Sequence, residues 1–221
     1  MGKSDNVNPA YVTIVIHGYI AAPTIPAPLH TTTVTTPVGS REQRIVFPAE
    51  RGLYDIAVPS WAMTPSSTVE VKLWGGAGAG GYASYSPTAG SYGGAGGFTH
   101  AYVPVNGHTA LGIIAGTGSH NSNGGFPNGG WGRRNGIYTG FAGGGGRSEA
   151  FWIDEGIENA FAVAGGGGGG GDSYAYGFGG AGGGNQGGSA PYGGTGGSQV
   201  GAGYTIDYPY DQGYNGSAVR I

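Results

Sequence analysis

Cysteine is absent from this 221-residue chain, so disulfides, thiolate metal sites and thiol nucleophiles are excluded. Charge is scarce as well: Asp, Glu, Lys and Arg make up 10% of the residues, with nine basic against twelve acidic and a formal net charge of −3. Apart from Arg133-Arg134 the basic residues are scattered, which argues against a surface that neutralises nucleic-acid phosphates. Apolar residues reach only 38%, so the surface must be neutral and polar. Long hydrophobic runs are missing; the apolar stretch 11–20 is interrupted by His17 and Gly18 and is no membrane span. Met1-Gly2-Lys3-Ser4-Asp5-Asn6-Val7-Asn8-Pro9 lacks the apolar stretch of a cleavable signal. Gly2 does not make a myristoylation site, because Asn6 stands where Ser or Thr is wanted. Gly2-Lys3-Ser4 has neither the strand nor the upstream glycine of a P-loop. These absences lead to the expectation of a chain made in a cytoplasm without a signal peptide, with no membrane insertion and no nucleic-acid partner.

What the chain has in excess is glycine. All but seven of its 53 glycines lie between Gly75 and Gly201, in runs such as Gly75-Gly76-Ala77-Gly78-Ala79-Gly80-Gly81 and the unbroken 165–171. No Gly-X-Y period runs through them, which excludes collagen, and such a composition alone would suggest disorder. Strand-like segments, Thr68-Val69-Glu70-Val71-Lys72-Leu73-Trp74 and Phe161-Ala162-Val163-Ala164, feed directly into the glycines and point instead to an ordered arrangement. A polyproline II-like glycine helix makes no internal hydrogen bonds, so its buried amides need partners on neighbouring segments. Helices without Cβ atoms can approach closely enough to exchange those bonds, which offset the large entropy lost in ordering glycine. The expected fold is therefore all-β with a polyglycine II helix bundle: short β-strands flanking glycine-rich segments, and essentially no α-helix.

Residues 1–67 hold only four glycines and form a separate compositional region. Strands are expected at Tyr11-Val12-Thr13-Ile14-Val15-Ile16, Thr31-Thr32-Thr33-Val34-Thr35-Thr36, Arg44-Ile45-Val46-Phe47 and Tyr54-Asp55-Ile56-Ala57-Val58, punctuated by prolines. Four short strands bury little alone, so this region should dock on the glycine domain, residues 68–221, or on another chain. Further along, Gly97-Phe98-Thr99-His100-Ala101-Tyr102-Val103-Pro104-Val105-Asn106-Gly107 reads as a strand and turn, and Thr109-Ala110-Leu111-Gly112-Ile113-Ile114 as its return strand. Another strand pair brackets Asp154-Glu155-Gly156, and Ser217-Ala218-Val219-Arg220-Ile221 reads as a closing strand.

The order of four elements carries a resemblance: Val69-Glu70-Val71-Lys72-Leu73-Trp74 entering glycines, Val103-Pro104-Val105-Asn106-Gly107 followed by Ala110-Leu111, Ala162-Val163-Ala164 followed by the run 165–171, and Asn215-Gly216-Ser217-Ala218-Val219-Arg220-Ile221. Over roughly residues 68–221 the chain resembles the glycine-rich domain of bacteriophage tail fibres and tail-fibre adhesins, related forms of which occur in a few animal receptor ectodomains. The resemblance implies polyglycine II helices flanked by β-strands, with connecting loops that can carry receptor contacts at the distal end of a fibre. Residues 1–67 lie outside it.

No catalytic constellation emerges. Histidines 17, 30, 100, 108 and 120 show no ligand spacing; His100 and His108 flank the expected hairpin turn, where cross-strand proximity would allow a metal pair, but polar turn residues are the simpler reading. The G-x-G-x-x-G-like spacing after Trp74 opens no amphipathic helix and is a chance product of composition, so no cofactor is expected. Asp154, Glu155 and Glu158 suit turn chemistry better than a glycosidase pair or calcium cluster, and Asp207 and Asp211 lack calcium-loop spacing. The expectation is no enzyme, no cofactor and no metal.

The aromatics are the functional signal. Tyr, with Ser, Gly and Asn around it, is the palette of recognition loops, because it offers a rigid contact area and a hydroxyl with few rotatable bonds. Tyr82, Tyr85 and Tyr92, then Phe126, Trp131, Arg133, Arg134 and Tyr138, then Tyr204, Tyr208, Tyr210 and Tyr214 are the candidate receptor- or partner-binding residues. The plainer reading is that such rings cover the flanks of the glycine bundle. Two functions follow. The first is a virion adhesin that reads a bacterial surface protein or glycan through aromatic loops and joins other virion proteins through residues 1–67. The second is a structural virion protein, a capsid decoration, fibre or tail subunit, whose loops pack against neighbours. Both place the chain on the phage particle, and a homo-oligomer is compatible with either. A third possibility, an ice-binding glycine helix protein, would want a flat regular face.

Overall fold

The β-branched runs form strands, and their partners in the sheets bring together parts of the chain far apart in sequence. The structure, a computed structural model, describes residues 11–18, 31–35, 41–48, 53–83, 91–132, 134–135, 139–140, 142–171, 178–183 and 188. It is mostly β, with two antiparallel main sheets and no α-helix among the described residues. Its strands are β1 (Tyr11–Gly18), β2 (Thr31–Thr35), β3 (Arg41–Pro48), β4 (Leu53–Ala57), β5 (Thr68–Trp74), β6 (Tyr82–Ala83), β7 (Phe98–Pro104), β8 (Ala110–Ile114), β9 (Arg134–Asn135), β10 (Thr139–Gly140), β11 (Ser148–Trp152) and β12 (Ala162–Ala164).

The first sheet has the order β2-β3-β1-β5-β7 and the second β12-β11-β8-β4. The register therefore crosses position 67: β1 lies between β3 and β5, and β4 pairs with β8. The sheets pack face to face. Ile14, Val69, Val71 and Leu73 from the first meet Leu111, Ile113, Ala150, Trp152, Ala162 and Ala164 from the second. On β5 the alternation of the strand assigns Val69, Val71 and Leu73 to this core, each wholly buried, and turns Glu70, Lys72 and Trp74 to the opposite face. Burying one such side chain contributes about 1.5–3 kcal/mol.

One expectation is corrected. The strand–turn–strand at 97–114 is no hairpin: β7 pairs with β5 over seven residues, whereas β8 pairs with β4 and β11 in the other sheet. The turn itself forms, with Asn106 at φ 48°, Gly107 at φ 86° and the His108 amide donating to the Val105 carbonyl at 2.9 Å, but it carries the chain from one sheet to the other. Turn chemistry is local, while the choice of sheet rests on which strand already offers an unpaired edge. His100 and His108 are consequently not cross-strand neighbours: each pairs with a different carboxylate, Glu70 and Asp154.

Where the strands end, the glycine segments begin. Gly75, Gly78 and Gly81 donate to the carbonyls of Gly97, Gly94 and Ser91, each at 2.9 Å. Gly76 and Ala79 donate to Gly146 and Gly143, while Gly167 and Gly170 donate back to Gly76 and Ala79. Gly94 and Gly97 donate to Gly168 and Gly165, which in turn donate to Gly180 and Gly183. Donors recur every third residue, and segment 165–171 sits among four neighbours. The approach needs glycine at the contacts: a Cβ on Gly78 would overlap the Gly168 carbonyl, and one on Gly167 the Gly94 carbonyl. Ser148 Oγ fastens the seam between strands and glycines, donating to the Trp74 carbonyl at 2.7 Å and accepting the Gly116 amide at 2.8 Å.

Candidate recognition surfaces

The hydrogen-bond register fixes which ends of the glycine segments meet. Bonds among 75, 97, 165 and 183 lie next to the strands, while those among 79, 81, 91, 142 and 170 lie at the other end. Ser91 Oγ closes that far end with a 2.6 Å bond to the Gly171 carbonyl. Segment 75–81 leaves that end through Tyr82 on β6, and segment 91–97 enters it beside Tyr92.

Tyr92 sits there, 71% exposed, its ring parallel to Phe178 at 6.1 Å and 6°. Trp131 is 69% exposed, beside Gly132, whose amide donates to the Ser122 carbonyl at 2.7 Å. Phe126 differs: it is half-buried, and its backbone is locked to Thr117, whose Oγ1 accepts the Phe126 amide at 2.8 Å and whose amide donates to the Phe126 carbonyl at 2.7 Å. It supports the loop more than it displays a ring. Tyr82 lies on β6 and Arg134 on β9, and both strands pair with β10, Tyr82 and Arg134 each opposite Gly140. Two candidate loops thus share one small ribbon. Tyr85, Arg133, Tyr138, Tyr204, Tyr208, Tyr210 and Tyr214 lie outside the described residues, as does the closing strand expected at 217–221.

A second aromatic surface escaped the sequence reading. On the outer face of β5 and β7, cross-strand partners Trp74 and Phe98 have ring centroids 4.9 Å apart, and His100 and Tyr102 follow along β7. Phe98 is 49% and Tyr102 61% exposed. Beneath them Glu70 gathers three partners on Oε1: Lys72 Nζ at 2.7 Å, His100 Nε2 at 2.8 Å and the Tyr102 hydroxyl, donating at 3.1 Å. Burial raises the Glu70 pKa, but these hydrogen bonds outweigh it and hold the carboxyl at about 2, so it is ionised. The same bond to Glu70, with burial second, raises the Tyr102 hydroxyl above its ordinary range. The signal available in the sequence was the alternation Phe98-x-His100-x-Tyr102, which puts all three on one face.

Elsewhere, His108 stacks on Trp152 at 4.6 Å and 10°, with Nδ1 2.9 Å from Asp154 and Nε2 3.5 Å from Glu155. The His108 bond lowers the Asp154 pKa. This joins the turn after β7 to the turn after β11, in keeping with turn chemistry for the acidic cluster. Among the described residues no group of three or more His, Asp or Glu is placed to hold a metal ion, and no helix is long and apolar enough to cross a membrane. No family model, no curated protein and no solved structure matches the chain.

Proposed function

We propose that the chain is a non-catalytic virion protein, a receptor-binding adhesin of a phage tail fibre or tail tip, in which a polyglycine II bundle holds aromatic loops away from a β-sheet base. The observation that carries the reading is the grouping of exposed Tyr92 and Trp131 with the Tyr82 and Arg134 strands around the end of the glycine segments remote from the sheets. Hydrogen bonds that repeat every third residue between glycine segments support the bundle, since a polyproline II-like helix has three residues per turn. A seven-residue segment at that rise spans about 20 Å, enough to separate tip from base. The base, to which residues 1–67 contribute β1–β4, is the end that joins other virion proteins. Recognition is by shape and stacking on a bacterial surface protein or glycan, without a chemical step.

The test is adsorption of the purified, fluorescently labelled chain to a panel of intact bacteria, with protection of the bound strain from phage infection. Saturable adsorption with protection is expected, and Tyr92→Ala with Trp131→Ala should weaken it at least about tenfold, the loss typical of central aromatic contacts. A folded protein that adsorbs to no strain would instead mark a structural virion subunit.

A further inference from the structure

We propose that the outer face of β5 and β7 is a carbohydrate-binding strip for an uncharged oligosaccharide, separate from the loops at the end of the glycine segments. Four rings follow one another across and along the two strands: Trp74 to Phe98 at 4.9 Å, Phe98 to His100 at 6.4 Å and His100 to Tyr102 at 5.0 Å. From Phe98 to Tyr102 the strand rises roughly 13 Å, room for a short oligosaccharide rather than a single ring. The C–H face of a pyranose carries the positive edge that the negative face of an aromatic ring attracts, so a line of exposed rings suits a line of sugars. Successive rings are tilted by 40–51°, so the strip is twisted; it fits a chain whose rings rotate along its length and not a flat crystalline surface.

The polar groups identify the class of ligand. Glu70 is ionised and paired with Lys72, so these two charges offset each other. Lys72, His100 and the Tyr102 hydroxyl, held from beneath by buried Glu70, set polar groups beside the rings, where sugar hydroxyls would lie. Side chains held this way lose little freedom on binding. Arg44 shares this face on β3, two strands from β5 and three from β7, to one side of the row of rings. A neutral, hydroxyl-rich ligand complements this surface; an anionic polymer would find Lys72 already paired with Glu70.

The full chain is titrated, by Trp fluorescence and by calorimetry, with linear six-residue oligosaccharides of glucose, galactose, mannose and N-acetylglucosamine, and with a hexauronate as the charged comparison. At least one neutral sugar should bind and the hexauronate should not. Phe98→Ala and Tyr102→Ala should each weaken that binding about tenfold, the worth of one aromatic contact, while Trp131→Ala should leave it unchanged. Phe98 is 49% and Tyr102 61% exposed, and circular dichroism checks that the variants keep their sheets. No binding to any neutral sugar, preference for the hexauronate, or binding unaffected by the two β7 variants would overturn the proposal. Loss of sugar binding with bacterial adsorption intact, or the reverse, separates this strip from the loop site.

Discussion

Glu70 is the residue on which the outer face of β5 and β7 depends. With three hydrogen-bonding groups at one carboxylate oxygen, its pKa of about 2 lies below the ordinary 4.5, so its ionised form is favoured in the folded state. The contribution to stability is complete above pH 4.5 and is lost as pH falls through about 2. Glu70→Gln should therefore flatten the acid limb of the stability curve between those values. Thermal melts of both proteins across that range check this; parallel limbs would mean that Glu70 titrates alike in the folded and unfolded chain. A second carboxylate, Glu149, is 2% exposed on β11 and pairs with Arg147 Nε, whose pKa desolvation lowers. Nothing in its local sequence distinguishes Glu149 from a solvated strand residue; only the packing on both faces of β11 buries it.

At the scale of elements, the glycine segments are held by backbone bonds between them and by contacts that exclude a side chain. Gly78 and Gly118 separate the two effects. A methyl group on Gly78 would strike the Gly168 carbonyl, a backbone atom that cannot turn aside, whereas on Gly118 it would meet the Ala77 carbonyl at an ordinary 3.5 Å. Gly78→Ala should destabilise by about 1–3 kcal/mol or more, as overpacking does. Gly118→Ala should stay within about 1 kcal/mol of the wild type, helped by the reduced freedom of the unfolded chain. Denaturant titrations decide it, and equal effects at both positions would show that close approach does not set the stability of these segments.

For the whole molecule, the central question is whether residues 68–221 can stand without 1–67. In the first sheet β1 supplies the Ile14 core contact and the hydrogen-bond partner of β5; in the second β4 covers the edge of β8. Removing both would expose two strand edges and one side of the core. A fragment spanning 68–221 should therefore lose the cooperative thermal transition of the full chain. A sharp melt at the same temperature would make the two regions independent units, with 1–67 free to serve attachment alone.

The sequence alone placed strands at 11–16, 31–36, 44–47, 54–58 and 68–74, where β1 to β5 form with ends shifted by up to three residues, because β-branched alternation is a local preference. It likewise located the Asn106-Gly107 turn, since only residues tolerant of positive φ fit there. Glycine runs entered directly by strands already implied close backbone packing. The sequence singled out Tyr92 and Trp131 by the company they keep, but not Phe126's half-buried place or the Trp74, Phe98, His100 and Tyr102 strip. Only the tertiary structure decided that β7 joins β5 while β8 joins β4 and β11, because strand pairing depends on which edge is open once the rest has assembled. That choice puts Glu70 opposite Tyr102 and Lys72 opposite His100, and so makes one surface from residues about 30 positions apart.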